Sequence, residues 1–221
     1  MNAVVPFSTA LRERSSDAHS PHECDGFMTD LLTGAGTRDD YIALIAQHWF
    51  IYAALEEAAG RMRSDPVASV FLQGRHSRLP ALEADLGFLI GDDWRERITP
   101  LPSTQRYMDR LRWVAATGWG GGFVAHHYTR YLGDLSGGQV IGRVLDRELG
   151  LEGRGTAFYA FPEVPKPKPY KDGYRARLDA LELSPEQQAR VVAEVSTAFD
   201  LNQAVFAELG ALLPTFRRLP A

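Results

Sequence analysis

Arg130, Gly133, Asp134, Gly137, Gly138 and Ile141 follow one another at steps of three, one, three, one and three, which places all six on one face of a helix. That face is bare in its middle and charged at one end. Asp134, four residues beyond Arg130, is placed to hold ordered water above a group lying on the bare part. With Gly142, four glycines fall inside one helical stretch, and each costs about 1 kcal/mol relative to alanine. Two readings account for that cost. Either a second helix crosses closely, which the four-residue spacing of Gly133 and Gly137 alone would satisfy, or a flat ligand lies against exposed backbone. A second pair of interest is His19 and Glu23, one helical turn apart near the N-terminus. A histidine in so polar a helix is most often a solvated surface residue.

The glycine stretch needs helical sequence on both sides to hold it. Tyr128, Tyr131, Leu135, Leu145 and Leu149 supply one apolar face, so the spacing predicts a long helix with Gly133 to Gly138 in its middle, entered through a flexible Gly118 to Gly122 segment. Earlier in the chain, Leu11 to about Glu23 reads as a short polar helix that Pro21 kinks or ends. Phe27 to Leu32 reads as another. From about Thr37, Tyr41, Leu44, Ile45, His48, Tyr52, Leu55 and Ala59 form the stripe of a long core helix. Asp65 before Pro66 has the look of a cap opening a further helix. Leu79 to Leu89 and Ser103 to Ala116 repeat the amphipathic pattern.

Four prolines between Phe161 and Tyr170 predict an extended connection, after which only two helical segments remain. The last begins at a capping box, Ser184 with Gln187, and carries Val195, Phe199, Asn202, Phe206 and Leu209 along its stripe. Asn202 interrupts that stripe and needs a buried partner. No alternating strand and no repeat is visible. The expected fold is all-α, a single domain over residues 1–221.

Composition removes several functions. A net charge of -4 with no basic helix or arginine-rich arm gives no case for nucleic acid. No run approaches the roughly 18 apolar residues of a membrane span, and no anchor or leader is expected. One cysteine, Cys24, excludes an internal disulfide and any cysteine-based metal set, which fits a reducing cytoplasm.

The stretch YTRYLGDLSGGQ, Tyr128 to Gln139, resembles the signature of the haem oxygenases. AHSPHE at 18–23 and FMTDLL at 27–32 resemble that family's proximal helix and its follower. IYAALEE, YKDGYRARLDALELS and AFDLNQAVFAEL extend the similarity in order along nearly the whole chain. The resemblance implies a helical bundle that holds haem b between a proximal helix and a kinked, glycine-rich distal helix. It implies His19 as the iron ligand, with Glu23 fixing its ring, and Gly133, Gly137 and Gly138 packing on the porphyrin. Asp134 would organise water on the distal side, joined by Arg130, Tyr52 and Asn202. Arg12, Tyr128, Lys171 and Arg175 would surround the propionates, of which Lys171 and Arg175 are four apart and face one way. Position 12 is arginine where lysine is often seen in the family, and Pro21 lies unusually close to the ligand.

The implied activity is cleavage of haem to biliverdin, carbon monoxide and ferrous iron by dioxygen and electrons, haem being both cofactor and substrate. No flavin or nicotinamide fingerprint is present, so a ferredoxin or an NAD(P)H-dependent reductase would supply the electrons, docking near Lys166, Lys168 and Lys171. A di-iron carboxylate bundle would need Glu-x-x-His pairs, and the chain has none. A non-catalytic haem carrier on the same fold is the alternative; it would use His19 but would not need Asp134 on the glycine face.

Overall fold

The computed structural model describes residues 5–18, 26–72 and 77–216, with side chains at all of these except 15–18 and 213–216. Among them no strand forms. Ten α-helices follow one another: α1 Phe7–Ala18, α2 Gly26–Thr33, α3 Arg38–Arg61, α4 Leu79–Leu89, α5 Trp94–Arg97, α6 Pro102–Ala116, α7 Gly120–His127, α8 Gln139–Leu149, α9 Pro167–Asp179 and α10 Pro185–Phe216. Between α7 and α8 the backbone stays helical but winds as two π-helical turns, Tyr128–Leu132 and Asp134–Gly138. His19, Pro21, His22, Glu23 and Cys24 lie outside the described residues, as does His76.

The two longest helices start at the caps their sequences carry. Before α3, the Asp40 amide donates to Thr37 Oγ1 at 3.2 Å while the Thr37 amide donates to the Asp40 carboxylate at 2.8 Å, so two donors of the first turn are satisfied reciprocally. Before α10, the same exchange joins Ser184 and Gln187 at 2.8 and 3.3 Å. α3 runs through the centre of the molecule with Tyr41, Leu44, Ile45, His48, Tyr52 and Leu55 all buried, and packs against α4 and α6. α10 packs along α7, α1 and α6. It also caps α6, because Glu208 accepts the Ser103 amide at 2.8 Å.

Three expectations are corrected. Asp65 does cap, accepting the amides of Val67 and Ala68 at 2.9 and 2.7 Å, but only a single 3-10 turn, Ser69–Phe71, follows. There Phe71 is buried with its ring 4.6 Å from that of Tyr174. The proline run is not extended throughout, since α9 already begins at Pro167. Proline is tolerated in the first turn because those amides have no intrahelical acceptor. Of the glycines expected to make a flexible entry, Gly120, Gly121 and Gly122 are instead the buried start of α7, while Gly118 stands in an exposed turn before it with a φ of +62°. A Cβ on Gly120 would run into the Asp65 carboxylate and one on Gly122 into the Trp119 ring, so these glycines serve close packing. The C-terminal end of the stretch closes at Gly150, whose φ of +60° suits glycine in the left-handed cap after α8.

Candidate functional site

The π-helical segment carries the charged and bare positions together. A π turn replaces i→i+4 bonding with i→i+5 bonding and is found inside α-helices mostly at functional sites. Two such turns interrupt the regular ladder across the glycine stretch. Arg130 sits in the first turn and Asp134 opens the second.

Arg130 is 6% exposed. Its Nη1 donates to Asn202 Oδ1 on α10 at 2.6 Å, and its guanidinium lies 5.2 Å from the centre of the Tyr52 ring on α3. The polar break in the α10 stripe therefore has its partner. Nε and Nη2 of Arg130 are buried and have no hydrogen-bond partner among the described residues. Burial works against the cation, but Tyr52, Asp134 and Tyr107 around it raise its pKa above the ordinary arginine value. Tyr52 is itself buried and donates its hydroxyl proton to Asp134 Oδ2. For the Asp134 carboxyl, burial raises the pKa, against the lowering effects of Arg130, the Tyr52 hydrogen bond and Arg78. Burial prevails, so the Asp134 carboxyl is raised above its ordinary value and is a stronger base than a solvated carboxylate, anchored at one oxygen.

The glycine strip divides in two. A Cβ on Gly133 would meet nothing within 4 Å, and one on Gly137 only Ile141 Cδ1 at 4.0 Å. No described residue crosses there. Gly138 and Gly142 turn the other way: their Cβ directions end on Tyr159, at 3.3 Å from Cδ1 and 2.8 Å from Cβ. The close-crossing explanation therefore applies to Gly138 and Gly142, while Gly133 and Gly137 present open backbone on the same segment as two guanidinium donors that have no partner among the described residues.

Lys171 reaches the same segment from α9, donating to Ser136 Oγ at 3.1 Å. Arg175, one turn on, pairs with Asp172 at 3.1 Å. α1 docks beside α9, because the amide and hydroxyl of Ser8 both donate to the Asp179 carboxylate at 2.8 and 2.9 Å. Arg12, on the exposed side of α1, thus belongs to a helix neighbouring that of Lys171 and Arg175. Tyr128 is buried under the start of the π segment.

Several buried charged groups went unseen in the sequence. Glu194 on α10 binds His126 Nε2 at 2.8 Å and Arg110 Nε at 2.8 Å. Burial raises its pKa, but those two bonds outweigh it and hold the pKa down at about 2. Tyr107, on the apolar face of α6, is pushed up to about 12 by burial, with its hydroxyl unpartnered among the described residues. Arg78 and Asp85 are also buried. The only sequence signal for any of these was a polar residue on an otherwise apolar face.

Residues 5–208 match the Heme oxygenase family model. The chain belongs to the heme oxygenase family. It is 41% identical to rat heme oxygenase 1 over 209 residues, covering 93% of this chain and 72% of the relative. Its fold is similar to the crystal structure of heme oxygenase-1 from Synechocystis in complex with heme, with a TM-score of 0.89 at 36% identity and 96% coverage of both chains. Heme oxygenase from Leptospira interrogans gives a TM-score of 0.85 at 32% identity, over 92% of this chain and 100% of that one. The protein is accordingly an all-α heme oxygenase that binds haem and degrades it to biliverdin. Among the described residues no helix is long and apolar enough to cross a membrane.

Proposed function

We propose that the open backbone of Gly133 and Gly137 is the distal landing surface for the porphyrin, and that Asp134, held by Tyr52, directs proton delivery on that side. The observation that carries this reading is the conjunction on one helical segment of two glycines with empty Cβ directions, an anchored carboxylate and two buried guanidinium donors without partners among the described residues. Leaving such donors without partners costs about 1–3 kcal/mol each, which supports ordered water or a ligand beside them. Bound haem supplies the iron that engages dioxygen and the ring carbon that is oxidised. Asp134 accepts one bond from Tyr52 and has its second oxygen left for water, so the carboxylate orients that water without itself touching the reacting oxygen. Arg130 keeps the charge of the group balanced and is in turn fixed by Asn202.

On the proximal side His19 is the proposed iron ligand, with Glu23 one turn on accepting from the other ring nitrogen. Arg12, Tyr128, Lys171 and Arg175 are proposed to hold the propionates. Gly138, whose Cβ direction is taken by Tyr159, contributes by letting the second π turn approach that ring. Electrons would come from a separate ferredoxin or NAD(P)H-dependent reductase.

Asp134→Asn tests the distal assignment. The side chain keeps its size and an acceptor for Tyr52, but loses its charge. Hemin affinity is expected to stay within about twofold, while biliverdin formation falls by about two orders of magnitude, the usual loss for a proton-directing group. Unchanged biliverdin formation in this variant overturns the role.

A further inference from the structure

The turn that follows α8 is held by two charged side chains from a distant part of the chain. Arg78, 2% exposed, sends Nη2 to the carbonyl oxygens of Ala157, Phe158 and Ala160 at 3.0, 2.6 and 2.7 Å. Its guanidinium lies 4.1 Å from the centre of the Phe161 ring. Asp85, on α4, accepts the amides of Ala157 and Phe158, both at 2.8 Å. Within four residues, three carbonyls and two amides are therefore taken by one buried cation and one buried carboxylate. Holding a turn does not require buried charge, because well-packed apolar residues usually do so at lower cost.

What the turn touches gives the charges a purpose. The Phe158 ring stands edge-on to Tyr52 with centroids 5.3 Å apart, and the next residue of the turn, Tyr159, is the ring that limits Gly138 and Gly142. The other end of the clamp returns to the same helix. Glu56, one turn beyond Tyr52 on α3, accepts the backbone amides of Arg78 and Leu79 at 2.6 and 3.2 Å. A closed path runs from Glu56 through Arg78 and the turn to Phe158 and back to Tyr52.

We infer that Arg78 and Asp85 are positioning residues for haem degradation, setting the Tyr52–Asp134 hydrogen bond through the Ala157–Ala160 turn, with Phe158 as the contact through which they act. The inference rests on the assignment of Tyr52 and Asp134 proposed above. Arg78 is also among the groups that oppose the effect of burial on the Asp134 carboxyl, after Arg130 and the Tyr52 hydrogen bond.

Two variants test it. Arg78→Met keeps an unbranched side chain in the buried site but removes the guanidinium and its charge, and Phe158→Leu leaves the clamp in place but removes the ring beside Tyr52. In haem-free protein, a carbon-13 titration of the Asp134 carboxyl is expected to move to higher pH in both. In the hemin-loaded enzyme, kcat is expected to fall about tenfold with KM for hemin changed less than about twofold, the pattern of a misplaced group rather than a lost binding contact. Arg78→Lys should recover part of both effects, since lysine restores the charge but cannot span three carbonyls. The double variant should resemble the worse single variant, because both changes cut one path. An unmoved Asp134 midpoint in folded Phe158→Leu protein, or effects that add in the double variant, overturns the inference. If Arg78→Met does not fold, Phe158→Leu decides alone. The haem-free titration also separates this linkage from the reading of Asp134, since an unmoved midpoint overturns the linkage whatever Asp134→Asn does to turnover.

Discussion

Gly137 and Gly142, five residues apart on one helical stretch, look alike in the sequence and do opposite things. At Gly137 the space a side chain would fill is open, whereas at Gly142 it holds Tyr159. Gly137→Leu should therefore leave the haem-free protein as stable as the parent, or more stable by about 1 kcal/mol, because leucine is the better helix former. The same variant should lose hemin affinity or change which ring carbon is oxidised. Gly142→Leu should lower the unfolding temperature of haem-free protein outright, since Tyr159 Cβ would have to move. Thermal unfolding with hemin titration distinguishes the two, and a Gly137→Leu protein that binds hemin normally and yields the parent isomer rules out the landing surface. Spacing alone put Arg130, Asp134 and the glycines on one face and marked Asn202 as a polar break in its stripe; that Tyr52 and Asn202 join Asp134 and Arg130 was legible only through the family resemblance. The division of the glycines into open and packed was not legible, because it depends on Tyr159, which reaches the helix from a separate turn.

At the level of elements, caps and stripes were readable because they are local. Ser184 with Gln187 announces α10, and the stripe from Tyr41 to Ala59 announces α3. The π turns carry no such signal, since they differ from α-helix in which carbonyl each amide chooses and not in composition. The start of α9 was misread for a related reason: prolines mark both an extended chain and a helix's first turn, and packing decides between them. α9 itself has two sides. Lys171 reaches Ser136 on the distal segment, while Lys168 is highly exposed and pairs with Asp172 on its own helix, at 2.9 Å. Lys166, just before the helix, is also exposed. A double charge reversal, Lys166→Glu with Lys168→Glu, should raise the KM for a ferredoxin or reductase about tenfold, by replacing attraction with repulsion. Turnover driven by a small-molecule reductant should not change. An unaltered donor KM would move the docking site elsewhere.

For the molecule as a whole, buried titratable groups set how stability responds to acid. His48 has an ordinary pKa of 6.5, which burial, aided by Arg130, pushes well down. Above pH 6.5 it is neutral in both folded and unfolded states and has no effect. Below pH 6.5 the unfolded chain takes up a proton that the folded protein refuses, so stability falls by up to about 1.4 kcal/mol per pH unit. Glu194 acts in a lower window: its stabilisation is present above its ordinary value of 4.5 and is lost as pH falls toward about 2. Asp85 and Asp134, with raised pKa values, run the other way and gain stability in acid. Between pH 7.5 and 5.5, haem-free His48→Leu protein should therefore lose less unfolding temperature than the parent, by roughly 2–4 °C for each kcal/mol at this size. Equal losses would remove His48 as the cause. The two π turns have a different consequence, one of length. Each accommodates a residue that an α-helix spanning the same distance would not need, so deleting a single residue between 128 and 138 can be absorbed by rewinding to α-helix. The core and the composition would survive such a deletion and the helix on either side would keep its phase, but the side chains between the deleted position and the rewound turn would step by about 100° around the axis. Here the count of residues, as much as their identity, selects which side chains look toward haem, and a one-codon change could redirect the chemistry while the fold stays whole.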